Sequence, residues 1–183
     1  MPDHAYLSAS SSHRWLECPP SAKLCAEHPG RGSPFAQQGT DAHALAAFKL
    51  ENALGRKCQD PTENLMYYDA EMADCTDAYA AFVMEQLAEA RKLCKDPLVQ
   101  VEQKVSFSRW VPEGFGTADA CIVADDTMYV IDLKYGRSDH RQNNHRHGLF
   151  PGILQASRPG NSQEHPCHAA TLYKYTESMA GRT

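Results

Sequence analysis

Three charged residues, Asp119, Asp132 and Lys134, interrupt two runs rich in β-branched and aromatic residues, 114–124 and 127–136. Asp125-Asp126 separates the runs, and the pattern predicts a hairpin. Alternate residues of a strand share a face, so Asp132 and Lys134 point the same way. Folding at the Asp-Asp turn carries Asp119 towards Asp132, which places two carboxylates and an amine around one point. Carboxylates so placed repel, and burying them is costly without a positive partner. A hard divalent cation, Mg²⁺ or Mn²⁺, is the natural partner for oxygen ligands. The lysine would then activate a water, or steady the charge developing on an attacked phosphate. The plainer alternative is a solvent-facing hairpin in which Asp132 and Lys134 form a same-face ion pair.

Gly116-Thr117-Ala118-Asp119, followed thirteen positions later by Asp132-Leu133-Lys134, resembles the core signature of the PD-(D/E)XK nuclease superfamily, and most closely its RecB-type branch. The opening string Leu7-Ser8-Ala9-Ser10-Ser11-Ser12-His13-Arg14-Trp15-Leu16-Glu17-Cys18-Pro19-Pro20-Ser21 resembles a phage-associated family, domain of unknown function 2800 (DUF2800), generally placed in that superfamily. The likeness spans about residues 6 to 137. It implies a restriction-endonuclease-like fold, DNA as substrate, and metal ligation by Asp119, Asp132 and the backbone carbonyl of Leu133, with Lys134 as the activating lysine. Some RecB-type nucleases also hold an iron–sulfur cluster on one early and three late cysteines. Cys18 offers the early one, but only Cys167 follows Lys134, so the set is incomplete.

Upstream elements must position this hairpin. Residues 6 to 35 read as a short helical or irregular lead-in, with Trp15, Leu16, Leu24 and Cys25 on the core. A helix is predicted from about Thr40 to Leu54, capped near Thr40 and stopped by Gly55. His43, Ala47, Leu50 and Leu54 form one stripe on it. A histidine there is ordinarily a core residue, but Gly39-Thr40-Asp41-Ala42-His43 resembles the RecB-type Gly-Thr-x-x-His element, whose histidine joins the metal site. Imidazole suits Mn²⁺ better than Mg²⁺. A loop over 56–68 precedes a long helix, about Asp69 to Lys95, with Met72, Cys75, Tyr79, Phe82, Val83, Ala90 and Leu93 buried. Residues 98–107 alternate as a first strand, with Val99, Val101, Val105 and Phe107 inward. Glu102 lies on the opposite face, as a solvated residue or, by the resemblance, a further site carboxylate.

The chain has 183 residues, 42% of them hydrophobic, enough for one domain with a core. No apolar run is long enough to span a membrane, and no secretory signal is expected. Seven scattered cysteines argue for reduced thiols and a cytoplasmic setting. The net charge of -5 opposes a general nucleic-acid-binding surface, so DNA must be held locally. From residue 137 the character changes: five of nine histidines, six basic against three acidic residues, and no hydrophobic period. Such a segment suits a His-rich metal tail or a basic DNA-contacting arm. The resemblance instead predicts a helix carrying a Pro-Gln element here, which a shifted reading frame across Arg141–Leu149 would permit.

The expectation is therefore an α/β fold over residues 1–136, helices on a mixed sheet of at least three strands, with an irregular, truncated or out-of-frame tail over 137–183. The expected function is a phage-type, Mg²⁺- or Mn²⁺-dependent deoxyribonuclease with Asp119, Asp132, Lys134 and secondarily Glu102 as catalytic groups. His43, Asp119, Asp132 and Leu133 would hold the metal. Its partners would be DNA and other phage replication or recombination proteins, with no membrane. The alternative is a non-catalytic DNA-binding or phage accessory protein on the same fold.

Overall fold

The structure is a computed structural model that describes residues 6–8, 11–28, 33–106, 108–109, 111–135 and 170–176. Two short helices, α1 (Ser12–Glu17) and α2 (Pro20–Glu27), lead in, and two long ones follow, α3 (Pro34–Ala53) and α4 (Ala70–Leu93). A single 3₁₀ turn, Thr62–Asn64, lies in the loop between α3 and α4. Then come β1 (Leu98–Ser106), β2 (Phe115–Ala124), β3 (Thr127–Leu133) and, beyond a gap in the described chain, β4 (Ala170–Thr176). The fold is α/β, as its sequence pattern predicts. Sheet order follows chain order, β1-β2-β3-β4. Every pairing among the described strands is antiparallel, where a mixed sheet was expected; β1, β2 and β3 follow one another through connections too short to hold a crossover helix.

The hairpin turns at Asp125-Asp126, with Ala124 paired to Thr127. Asp125 adopts φ 47, a conformation that aspartate tolerates better than most residues. Alternation along the strands buries Ala120, Ile122 and Ala124 of β2 with Tyr129, Ile131 and Leu133 of β3. These meet Leu45, Ala46 and Leu50 of α3 and Met72, Tyr79, Val83 and Leu87 of α4 in one core.

Helix α3 begins six residues earlier than the sequence pattern suggests. Ser33 caps it by accepting from the Ala36 amide at 3.1 Å, and Pro34 sits at the first helical position, where its missing N–H costs nothing. Thr40 is therefore interior, its hydroxyl bonded back to the Ala36 carbonyl at 3.0 Å. The far end matches the prediction. Gly55 at φ 74 lets its amide reach Asn52 O at 3.0 Å and lets the Arg56 amide reach Glu51 O at 2.9 Å, a Schellman closure. The buried stripe is Ala42, Leu45, Ala46 and Leu50, so His43 stands at its margin and remains half exposed.

Several core expectations change. Trp15 is buried, with its indole N–H donating to Ser8 O at 3.0 Å, but Leu16, Leu24 and Cys25 are exposed. Leu93 at the last turn of α4 and Val105 beyond Glu102 are also exposed, since the helices cover only the near half of β1. Phe107 lies outside the described residues, as does the expectation of a shifted frame at Arg141–Leu149. Within the segment predicted to be irregular, Ala170–Thr176 instead pairs with β3 from Thr127↔Thr176 to Leu133↔Ala170. Its apolar or aromatic positions are Ala170, Leu172, Tyr173 and Tyr175, too brief a run to stand out among the histidines and prolines around it. The six described cysteines are free thiols.

Asp41 is the buried polar brace of this layer. It is 3% exposed and accepts from Gln37 Nε2 at 2.9 Å and from the Met66 and Tyr67 amides, both at 2.8 Å, tying the α3–α4 loop to α3. Asp41→Ala leaves two loop amides without their acceptor and should cost about 2–4 kcal/mol. Asp41→Asn, which can keep one oxygen on both amides, should cost clearly less; urea denaturation of the two variants checks the order.

Candidate functional site

Past the pair Ala120↔Ile131 the β2–β3 pairing stops, and the next residues in register are Asp119 and Asp132. Here the Asp119 carboxylate intervenes, its Oδ2 accepting from the Leu133 amide at 2.6 Å. On the other side of β2 the β1 register is continuous except at Glu102, the residue facing Asp119, which adopts φ 48. Positive φ is strained for a glutamate and breaks strand alternation, bringing its carboxylate towards α3. The sheet is thus parted on both flanks of Asp119.

Into that parting α3 presents His43. Its Nδ1 lies 3.2 Å from Asp119 Oδ1 and 3.9 Å from Glu102 Oε1. His43, Glu102 and Asp119 form the group of donor side chains found among the described residues whose ligand atoms all lie within 4.8 Å of one another. The sequence named all three, but ranked Glu102 below Asp132. The ranking changes because Glu102 abandons the face that simple alternation assigns it, a backbone event with no signature in the local sequence.

Asp132, near the end of β3, and Lys134, just past it, are brought together, Oδ2 against Nζ, as their shared face predicts. Asp132 is not within the three-residue group. Of Leu133, the contact observed is the amide on Asp119, not the carbonyl expected to ligate metal.

Electrostatics fit the placement. Burial lowers the proton affinity of His43, but the hydrogen bond to Asp119 and the charges of Asp119 and Glu102 together overcome it, and its pKa ends above 6.5; Lys134 is close enough to oppose this. Burial, then the Asp119 charge, pushes the Glu102 carboxyl above its usual 4.5, with His43 pulling it back. Burial and the same two carboxylates push up the phenol of Tyr79, whose hydroxyl lies 3.5 Å from Ile131 O. Burial is the largest influence on all three groups; the nearby carboxylates add to it at Glu102 and Tyr79 and outweigh it at His43. A neutral imidazole and two carboxylates satisfy the donor preferences of Mn²⁺, and of Mg²⁺ less well, so His43, Glu102 and Asp119 fit a divalent cation.

A family model described as a protein of unknown function, DUF2800, matches residues 4–145. The chain belongs to the DUF2800 family. The matched stretch includes the opening Ser-rich string, α3 with His43, and the whole hairpin to Lys134, so every residue of the candidate site lies within the region that defines this DUF2800 protein. No solved structure matches the chain. No helix among the described residues is long and apolar enough to cross a membrane.

Two outcomes follow from this charge arrangement. Asp119→Asn removes a ligand oxygen's charge and should weaken Mn²⁺ binding by at least tenfold in calorimetry while the fold persists, since asparagine can still accept from Leu133. The second concerns pH. A His43 pKa raised on folding gives stability that is fully present below 6.5 and lost as pH rises through the folded value. Raised Glu102 has the same sign, its effect fading as pH rises from 4.5 through its folded value. In EDTA, the melting temperature of the native chain relative to His43→Gln should therefore fall between pH 6 and 8, while apparent Mn²⁺ affinity should rise as the imidazole proton leaves.

Proposed function

We propose that this DUF2800 protein is a divalent-metal-dependent deoxyribonuclease, hydrolysing phosphodiester bonds in the manner of RecB-type PD-(D/E)XK enzymes. The observation that carries the reading is the convergence of His43, Glu102 and Asp119 at the parting of the sheet, with Lys134 within electrostatic reach. Mg²⁺ or Mn²⁺, when bound, supplies Lewis acidity to a phosphate oxygen and to water. His43, Glu102 and Asp119 would provide its ligands. The Leu133 amide fixes the orientation of Asp119. Lys134 offers an ammonium to steady charge on the phosphoryl oxygens. In the overall step a water oxygen bonds to phosphorus, the bond to the leaving oxygen breaks, and the proton lost by water balances the one gained by that oxygen.

Placement on a phage or prophage, work beside other replication or recombination proteins, and a cytoplasmic setting belong to the same proposal, and rest on the family resemblance and free thiols. One observation favours a second reading. Lys134 and Asp132 contact each other, so the lysine's charge is already engaged, as in a fold that binds DNA without cutting it.

A single experiment separates the two. Purified protein with Mn²⁺ should degrade end-labelled DNA, EDTA should stop it, and Lys134→Ala should lower the rate by a hundredfold or more, about 3 kcal/mol of barrier. DNA binding without metal-dependent cleavage would establish the non-catalytic reading instead.

A further inference from the structure

The phenol of Tyr79 is a buried polar group that the proposed chemistry leaves idle. The residue is 1% exposed and belongs to the core that holds Met72, Val83 and Leu87. A phenylalanine ring would fill the same space. A hydroxyl carried into such surroundings costs stability unless it is well bonded. Its bond is long, the oxygen donating to Ile131 O at 3.5 Å. Stability therefore gives little reason for a tyrosine here. The place that its hydroxyl reaches gives a better one.

Ile131 is the last residue of β3 paired to β2, opposite Ala120. Its carbonyl belongs to the peptide unit that precedes Asp132. The unit that follows Asp132 carries the Leu133 amide, which donates to Asp119 Oδ2 at 2.6 Å. Peptide units are rigid, so holding the two on either side of a residue sets its φ and ψ. On its other edge β3 stays paired to β4, through Asp132↔Thr171. On the side of the parting the β2 ladder has ended, and the contacts that replace it are those of Tyr79 and Asp119. We infer that Tyr79 is a positioning residue for both aspartates, its hydroxyl steadying the Ile131 carbonyl so that Asp132 is aimed at Lys134 and the Leu133 amide is presented to Asp119. Asp119 Oδ1 in turn stands 3.2 Å from His43 Nδ1, so the hold runs from α4 through the site to α3. Burial first, then the charges of Asp119 and Glu102, raise the proton affinity of the phenol, and it keeps its donor proton while those carboxylates are ionised. The length of the bond leaves the carbonyl room to draw closer when the site is loaded. This inference deepens the metal-site reading and rests on it for any effect on chemistry.

The test reads the end of β3 directly, with full-length Tyr79→Phe beside the native chain. In EDTA the melting temperature of the variant should be unchanged or higher, since a poorly bonded hydroxyl is gone and the ring remains. Hydrogen exchange of the Leu133 amide, followed by NMR, should nevertheless quicken by about threefold or more, with the amides of Val83 and Ile122 unaltered. Calorimetric Mn²⁺ affinity should fall by about tenfold, as for other groups that orient metal ligands from behind. Unchanged exchange at Leu133 would leave the hydroxyl without a role at the strand end and overturn the inference. A lower melting temperature with faster exchange at Val83 and Ile122 as well would make its role one of stability alone, and overturn it too. So would equal Mn²⁺ affinity in two chains that both bind the ion. If neither chain takes up Mn²⁺, the metal-site reading fails by itself, and exchange at Leu133 decides the positioning role.

Discussion

The structure turns on one carboxylate with two engagements. Asp119 accepts the Leu133 amide with one oxygen and stands against His43 with the other. The first interaction takes over a ladder position of β3, so the sheet opens at that residue instead of continuing as a plain hairpin. The second ties the opened sheet to α3. A carboxylate bonded to a backbone amide contributes about 1.5–3 kcal/mol, enough to offset lost pairing over one or two positions. Because both partners are rigid, the Asp119 oxygens are fixed before any ligand arrives, which is the condition for strong electrostatic action at a reacting centre.

The helices serve that fixed point in different ways. Helix α4 supplies bulk: Met72, Val83 and Leu87 fill the space under β2 and β3, and Tyr79 reaches the Ile131 carbonyl next to the place where pairing stops. Helix α3 supplies reach. Its buried stripe seats Ala42, Leu45 and Ala46, and this rotation leaves His43 at the margin where the sheet parts. Had the stripe run through His43 itself, the imidazole would have been sealed in the core with no route for an ion. Asp41, two residues away and pointing to the loop amides, shows how closely a structural carboxylate and a site histidine can sit on one helix without sharing a role.

How much of this was legible in the sequence follows from what each feature depends on. The hairpin, its two-residue turn, and the pairing that carries Asp119 to Asp132 depend on local alternation, and were readable. So were Gly55 as a helix stop and the burial of Met72, Cys75, Tyr79 and Val83, which follow a 3.6-residue period. The start of α3 was not, because Ser33-Pro34 lies behind a Pro/Gly stretch that reads as pure loop, and Gly39 and Thr40 look more like a cap than an interior. The exposure of Val105 depends on where the helices end over the sheet, a tertiary fact. The rank of Glu102 depends on one left-handed residue that costs energy in isolation and persists only because its surroundings fix it.

The charges gathered at this point act on both raised pKa values, alongside burial. Glu102, Asp119 and Asp132 bring three negative charges to one end of the sheet. Among the described residues, Lys134 lies on Asp132, and His43 holds its proton more tightly than a free imidazole. Glu102 has its pKa raised first by burial and then by the Asp119 charge, with His43 only partly offsetting the two. On the proposed reading, a dication would add positive charge here and render the imidazole proton unnecessary, so its arrival and the loss of that proton would be coupled. It would equally weaken the hold of Asp132 on Lys134, since the carboxylate would gain a stronger positive neighbour. The ion pair that argues against catalysis is therefore a contact that a bound cation would loosen.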